Sequence, residues 1–253
     1  MVIQRLAPLL LPLLSSIALL LLIEWLKRAA VLPVFVPAPS EVIGLVAASP
    51  SLVVRNLVPT LRNAASAYGI AACVTLVAAA IAVTWRVFHR PIYTTGVVIN
   101  AIPVIASAPL LAVWLGTGSR TQVLIAVLTS QFPMLVGAMQ GLSSVDARQR
   151  ELLHTLSASP RQVFWYLRLP TALPYLFAGL KVAAPLAVLG TVTAEWAGAD
   201  TGIGAMMLYA LFSYDIQKVW LAVLLCCALA AGAYALIAAV ERIVVRWDPG
   251  TSR

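Results

Sequence analysis

The chain has 253 residues, a hydrophobic fraction of 62%, a charged fraction of 10% and a formal net charge of +8. Soluble domains are roughly 45–50% apolar and about 25% charged, so this composition excludes an ordinary soluble protein and indicates a polytopic membrane protein. The basic residues are scattered between apolar segments instead of forming one basic face. That distribution excludes a nucleic-acid-binding domain and is typical of arginines that set membrane topology and contact anionic headgroups.

The N-terminal segment is predicted to be a retained membrane span and not a signal peptide. Its uncharged run, 6–23, has 18 residues, which is long enough to cross the ~30 Å hydrocarbon layer. Glu24, Lys27 and Arg28 follow the run, and no small-residue cleavage site does, as a retained span requires.

The segment 24–63 is rich in proline, which argues against one continuous helix. Ser40 is expected to cap a short helix over 41–48. Two interpretations of 50–62 stay open. It is either a shallow amphipathic helix on the outer membrane surface or a plain connecting loop.

Charged residues separate the remaining apolar runs, each of which approaches the ~20 residues that a spanning helix needs. We therefore predict an all-α bundle of six membrane helices in a single domain over 1–253, with its core at about 55–245. The spans are expected at 6–23, 64–85, 94–115, 121–141, 173–197 and 219–240.

The distribution of basic residues predicts that both termini lie in the cytoplasm. In that orientation the outer segments hold only Lys27, Arg28, Arg55, Arg62, Arg120 and Lys218. The inner segments hold the larger set, Arg5, Arg86, Arg90, Arg148, Arg150, Arg161, Arg168, Lys181, Arg242, Arg246 and Arg253.

Three prolines and one glutamate inside the predicted spans are candidates for a transport pathway. Pro103 and Pro109 in the third span and Pro133 in the fourth predict kinks, which serve either a watery pathway or packing alone. Glu195 is the only acidic residue within a predicted span. It is a candidate pathway or gating residue, with snorkelling or pairing at the outer interface as the alternative.

No motif in the sequence supports catalysis. None of the three lysines is followed by Ser or Thr, as a phosphate-binding loop requires, and there is no H-E-x-x-H zinc motif. The cysteines lie in apolar spans, and His89 and His154 have no metal-ligating residue at suitable spacing. We therefore expect no catalytic residue, metal or bound cofactor. Energy from ATP would have to enter through another subunit.

The charged run 143–170 interrupts the apolar sequence and is expected in the cytoplasm. A first helix is predicted over 145–156, with leucines on one side. These leucines either enter a groove of a soluble partner or fold back on the bundle. After a break at 157–160, Ser159 as N-cap and Gln162 in a capping box predict a second helix over 161–169 that stops near Pro170.

The segment ELLHTLSASPRQVFWYLRLP resembles the cytoplasmic loop of permease subunits from binding-protein-dependent ABC importers, E-A-A-x-x-x-G followed after about nine residues by x-L-P. Glu151 matches the glutamate, and residues 169–170 match the closing pair. Leu152 and Leu153 stand where alanines are usual, and Ser157 stands where glycine is usual. A serine in the left-handed conformation of that glycine costs on the order of 1 kcal/mol, which favours a differently shaped turn.

The resemblance extends through PAPSEV, residues 103–146 and AEWAGADTGIG to the nitrate, sulfonate and taurine branch of these permeases. It implies the type I importer fold in a bacterial inner membrane. It also implies a second permease copy and two ATPase subunits that bind ATP. The implied contact with the ATPase is a coupling helix and turn comprising Glu151, Leu152, Leu153, Leu156, Ser157 and Ala158.

An external solute-binding protein would deliver a small organic anion, such as nitrate, taurine or another sulfonate, or a vitamin precursor. Asp200, Asp215 and Lys218 would either help to dock that protein or lie in a solvated loop. The alternative function is a stand-alone secondary transporter or channel, which predicts paired intramembrane charges and an internal repeat.

Overall fold

The computed structural model describes residues 2–33 and 35–246, and this part of the chain contains helices and no strand. The prediction of an all-α fold is confirmed. The first six helices are α1 (Val2–Arg28), α2 (Pro39–Ala48), α3 (Pro50–Thr84), α4 (Arg86–Asn100), α5 (Val104–Leu115) and α6 (Ser119–Ser143). The others are α7 (Ala147–Thr155), α8 (Pro160–Val163), α9 (Leu169–Glu195), α10 (Ile203–Phe212) and α11 (Ile216–Val244).

Four helical segments in the described residues are long and apolar enough to cross a membrane. They are α3, α6, the segment Pro160–Glu195 and α11. The predicted spans 64–85, 121–141, 173–197 and 219–240 lie within these segments, apart from one residue beyond the end of α3 and two beyond Glu195. The segment that contains 64–85 begins 14 residues earlier than predicted, and the one that contains 173–197 begins 13 residues earlier. α4 and α5 meet the same requirement as a pair. α1 contains the predicted span 6–23, whose crossing stays a prediction.

The third span predicted over 94–115 is not a single helix, because the kink predicted at Pro103 is a complete break. α4 ends at Asn100, and α5 begins at Val104 after a bend of 91°. Pro103 explains the break, because its ring disfavours helical backbone at Ile102. Its carbonyl then accepts the first hydrogen bonds of α5. Pro109 lies inside α5 without ending it.

Residues 50–62 form the first part of α3, so the interpretation as a plain loop is wrong. The alternative, a helix, is present, but it continues the second span and is not a separate helix. Pro50 stands at the start of the helix, where its missing N–H would have no partner in any case. Pro59 is accommodated inside the helix. The connection therefore extends the second span as one helix of 35 residues.

The short helix α2 was predicted, but its cap was not. Ala38 is the N-cap residue, and its N–H donates to the carboxylate of Glu41 at 3.3 Å. Ser40 lies inside the helix, and its hydroxyl donates to Glu24 at 2.8 Å. Ser40 therefore connects α2 to the end of α1 and does not cap α2.

The core of the bundle is the contact between α6 and α9, and it depends on glycine. A Cβ on Gly137 of α6 would lie 2.6 Å from the carbonyl oxygen of Tyr175, and one on Gly141 would lie 2.8 Å from that of Ala172. Gly179 of α9 approaches the backbone of Pro133 in the same way. Small residues bring membrane helices into direct backbone contact, which is a main source of their association in lipid.

Gly137→Ala tests this contact. The added methyl group has no space against the backbone of α9, so we expect the free energy of unfolding to fall by about 1–3 kcal/mol. Gly69→Ala on the exposed side of α3 is the matched control, since a Cβ there meets no atom within 4 Å. Unfolding by SDS in mixed micelles measures both. Equal stability of the two variants would contradict the assignment of this contact.

Candidate functional site

The helix α7 protrudes from one end of the bundle, which we call the α7 end. Asp146 caps the helix by accepting a hydrogen bond from the N–H of Arg148 at 3.1 Å. Leu152 and Leu156 are 61% and 69% exposed, Leu153 is half-buried, and no residue of α7 is buried. Of the two predicted arrangements, the structure therefore shows exposed leucines and not a helix folded back on the bundle.

The turn after α7 keeps the left-handed backbone that glycine usually supplies. Ser157 has φ of +54°, so the expectation of a differently shaped turn is wrong. Its N–H donates to the carbonyl of His154, and the N–H of Ala158 donates to that of Leu153, each at 3.0 Å. These two bonds form a Schellman motif. They offset the cost of the left-handed serine, which is on the order of 1 kcal/mol.

The predicted capping box at the start of the second helix is confirmed. Gln162 Oε1 accepts from the N–H of Ser159 at 2.7 Å, and the N–H of Gln162 donates to Ser159 Oγ at 3.4 Å. Pro160 occupies the first turn, where it needs no N–H partner. The backbone at this point is therefore specified by local sequence alone.

The second helix does not stop near Pro170, and that prediction is wrong. A π turn, Phe164–Arg168, joins α8 to α9, and the helical segment continues to Glu195. The wider turn moves aside the carbonyl with which the ring of Pro170 would clash in a regular helix. Thr171 then donates its hydroxyl to the carbonyl of Leu167 at 2.7 Å. One helical segment thus connects the exposed turn to the core.

At the opposite end, which we call the α10 end, Glu195 is buried with only 1% of its surface exposed. Its Oε1 accepts from the hydroxyl of Thr60 at 2.6 Å, and its Oε2 accepts from the N–H of Gly204 at 2.7 Å. Thr60 Oγ1 in turn accepts from the N–H of Ile203 at 2.9 Å. The carboxylate thus caps α10, a favourable place for negative charge, and ties α9 to α3.

The glycine turn between α9 and α10 gives Glu195 its space. Gly202 has φ of +130°, and a Cβ there would overlap the Glu195 carboxyl group. Its N–H donates to Asn56 Oδ1 at 3.2 Å, a second link to α3. The sequence analysis missed Asn56 and Thr60. The available signal was a glutamate seven residues before Gly-x-Gly, with polar residues four apart on an apolar helix.

The candidate residues lie at separate places in the structure. α9 has 27 residues, so its rise of 1.5 Å per residue places Glu195 about 40 Å from the start of α9 at the α7 end. Pro103 and Pro109 are exposed on the bend and on α5. α5 packs against the end of α9 through Ala108, which contacts a cluster that includes Ala194. The two prolines therefore lie toward the α10 end, near Glu195, and not at the α7 end.

Two of the three outer-loop charges form a local structure. Asp215 caps α11 by accepting from the N–H of Lys218 at 3.1 Å, and its carboxylate lies 2.6 Å from the Lys218 ammonium. The hydrogen bond from the Lys218 side chain is the main cause that lowers the pKa of Asp215, and the Lys218 N–H adds to it. Asp200 is exposed. In the described ranges, no group of three or more His, Cys, Asp or Glu residues is arranged to hold a metal ion.

Glu195→Ala tests whether this glutamate fastens the α10 end. The change leaves the buried N–H of Gly204 without its acceptor, whereas the hydroxyl of Thr60 still has the carbonyl of Asn56 at 3.2 Å. We therefore expect a loss of about 1–3 kcal/mol for the one unsatisfied group. Asp200→Ala, in the exposed part of the same turn, should leave stability nearly unchanged. Thermal unfolding of the purified protein measures both. Lost transport with unchanged stability would instead favour a direct role of Glu195 in the solute pathway.

Comparison with known proteins identifies the family. The family described as binding-protein-dependent transport system inner membrane component matches residues 73–247. The formylaminopyrimidine transport permease protein ThiX of Halalkalibacterium halodurans is 31% identical over 234 residues, which cover 90% of this chain and 93% of that protein. The riboflavin transport system permease protein RibX of Chloroflexus aurantiacus is 32% identical over 149 residues, 59% of this chain and 56% of RibX.

The taurine transport system permease protein TauC of Escherichia coli K12 is 32% identical over 106 residues, which cover 42% of this chain and 38% of TauC. These matches decide against a stand-alone transporter or channel and against a catalytic role for the chain itself. They also support a multi-pass location in the inner membrane. The chain belongs to the binding-protein-dependent transport system inner membrane component family, and it is the transmembrane permease subunit of an ABC importer.

Proposed function

We propose that the whole chain forms one transmembrane domain that works as a pair of identical copies. Two ATPase subunits would bind at the α7 end, and a solute-binding protein would bind at the α10 end. The observation that carries this proposal is the exposure of Leu152 and Leu156 on a helix with no buried residue. Two leucines four residues apart on one helix face are the anchors of a helix that enters a groove.

The proposed contact, which we call the coupling surface, comprises Glu151, Leu152, Leu153, Leu156, Ser157 and Ala158. Its anchors are the two exposed leucines, Leu152 and Leu156. Leu153 is half-buried and contributes less exposed surface to the contact. The Schellman turn fixes the angle at which α7 leaves the bundle. Because helical structure continues from Pro160 to Glu195, a displacement of α7 reaches the membrane helices without an intervening flexible loop.

The importer cycle follows from this connection. ATP binding would bring the two ATPase subunits together and draw the two copies of α7 with them. The attached helices would then tilt between inward-open and outward-open arrangements, a rigid-body change biased from one end. The chain contributes no group to ATP hydrolysis.

A second copy would cover the exposed apolar side of α5. Ile105, Val113 and Trp114 are large and exposed there, next to the bend at Pro103. A pathway between two copies would therefore pass this bend, which supports a pathway role for Pro103 and Pro109. Breaks of this kind in membrane helices are tolerated where protein or water surrounds them.

The orientation that we propose places the α7 end and both termini in the cytoplasm. Arginines concentrate at this end, on the α3–α4 junction, on α7 and on the following helical segment. Cytoplasmic segments of membrane proteins carry such an excess.

The proposed solute is a small anion, such as taurine, another sulfonate or nitrate, or a vitamin precursor. The names of the relatives support this range, since they are permease proteins for formylaminopyrimidine, riboflavin and taurine and a putative permease for aliphatic sulfonates. Selection among them is expected to lie with the solute-binding protein.

Leu152→Asp tests the coupling surface. A charge in place of an anchor leucine should reduce co-purification of the ATPase by about tenfold or more, since burying an unpaired carboxylate is costly. His154→Asp is the matched control, because it adds the same charge to the same helix about 200° away. Equal capture of the ATPase by both variants and by the unchanged chain would contradict the coupling assignment.

A thermal-shift panel on the solute-binding protein that associates with the permease tests the solute class. A true ligand at a hundredfold excess over its Kd should stabilise that protein by about 2.7 kcal/mol. We expect the response from sulfonates, nitrate or pyrimidine and flavin precursors. Stabilisation by sugars or neutral peptides alone would contradict the proposed class.

A further inference from the structure

A basic cavity of about 500 Å³ opens at the α7 end, beside the coupling surface. It lies between the α3–α4 junction, the end of α6, α7 and the π turn. The basic residues that line it are Arg86, His89, Arg90, Arg150 and Arg168. Among the residues that the structure describes, no carboxylate lines it. A volume of this size is within the range of ordinary ligand sites.

The guanidinium groups in this cavity have no partners in the described part of the chain. None of the four lining arginines forms an ion pair or a side-chain hydrogen bond there, and Arg168 Nε is buried without a partner. The nearby Asp146 is already engaged as the cap of α7. Like charges that converge in a partly enclosed space repel one another, and an unpaired buried donor is costly. A bound anion would reduce the repulsion between the arginines and accept the hydrogen bond of the unpaired donor.

The rule that basic residues stay in the cytoplasm accounts for arginines at this end, but it does not require them to converge. Arg161, for example, is exposed at the same end and lies outside the cavity. Trp85 and Phe88 are exposed beside the cavity, and such aromatic residues are typical of the headgroup level of a membrane.

We propose that this cavity binds a phosphate group, carried either by an anionic lipid headgroup or by free phosphate. The planar guanidinium forms paired hydrogen bonds with phosphate oxygens. Basic pockets between membrane helices on the cytoplasmic side are suited to anionic headgroups.

The position of the cavity also means that a bound ligand would affect α7. Arg150 and Leu152 are two residues apart on α7 and so point about 200° apart around the helix. A bound phosphate would therefore hold the face of α7 opposite the coupling leucines. It would fix the position of α7 and leave the coupling surface free for the ATPase.

The test uses the full-length permease, purified and stripped of lipid. Native mass spectrometry compares retention of phosphatidylglycerol with that of phosphatidylcholine, and a thermal-shift series compares inorganic phosphate with chloride at equal ionic strength. The variants are Arg90→Gln with Arg168→Gln and, in case the π turn does not tolerate the change, Arg86→Gln with Arg90→Gln. The control, Arg148→Gln with Arg161→Gln, removes two exposed arginines outside the cavity.

Loss of two arginine–phosphate contacts should weaken binding by about tenfold or more in either cavity variant but not in the control. Retention of phosphatidylglycerol with this pattern identifies a lipid headgroup, and a shift with phosphate alone identifies free phosphate. The proposal is overturned if neither probe binds, or if the control loses as much as the cavity variants. It is also overturned if the cavity variants lose only ATPase capture, which would assign the arginines to that interface.

Discussion

Direct backbone contact between α6 and α9 is the constraint on which the rest of the structure depends. Lipid is as apolar as the helix surfaces, so burial supplies little force between membrane helices, and close packing has to hold them together. Gly137, Gly141 and Gly179 permit that packing, and alanines of α3 pack against the same region. α6 and α9 should consequently move as one body. A force on α9 at the α7 end is then a force on the core.

The two ends of α9 are joined to the rest of the protein in different ways. At the α7 end, the π turn and capping box continue the helix into an exposed turn. At the α10 end, Glu195 accepts hydrogen bonds from the N–H of Gly204 at the start of α10 and from the hydroxyl of Thr60 on α3. One end is therefore open to a partner, whereas the other is fastened by hydrogen bonds in a region of low dielectric, where they are strongest. This difference suits a helix that transmits motion from a partner to a fixed group of helices.

Sequence reasoning succeeded where the determining interactions are local. The bounds of α7 and the capping box at Ser159 follow from residues within four positions of each other, so a single sequence specifies them. It was incomplete at proline, because the effect of proline depends on the backbone around it. The kink predicted at Pro103 is a complete break, whereas Pro170 is accommodated within a helix that was predicted to end there. Pro59 lies inside α3 without ending it.

Contacts between distant segments were also beyond sequence reasoning. Glu195 was recognised as unusual from its charge within an apolar span, but its partner Thr60 is 135 positions away. Asn56 and Thr60, four residues apart on an apolar helix, indicate a polar contact but not which distant residue makes it. At Ser157 the missing information was local and not distant. Conformational preference argues against a left-handed serine, but two backbone hydrogen bonds, which the sequence does not display, decide the shape of the turn.

The orientation of α7 depends on local capping and on contacts with other parts of the protein or its partners. A helix of nine residues with no buried side chain is too short to be stable alone. Its orientation must therefore come from its cap, its C-terminal turn and whatever contacts its two faces. The leucine face is available to an ATPase, and the opposite face carries Arg150 toward the basic cavity. A ligand in the cavity and an ATPase on the leucines would each restrict the same helix, so binding of one would lower the entropic cost of binding the other. The phosphate-binding cavity would in this way act on coupling without touching the solute or ATP.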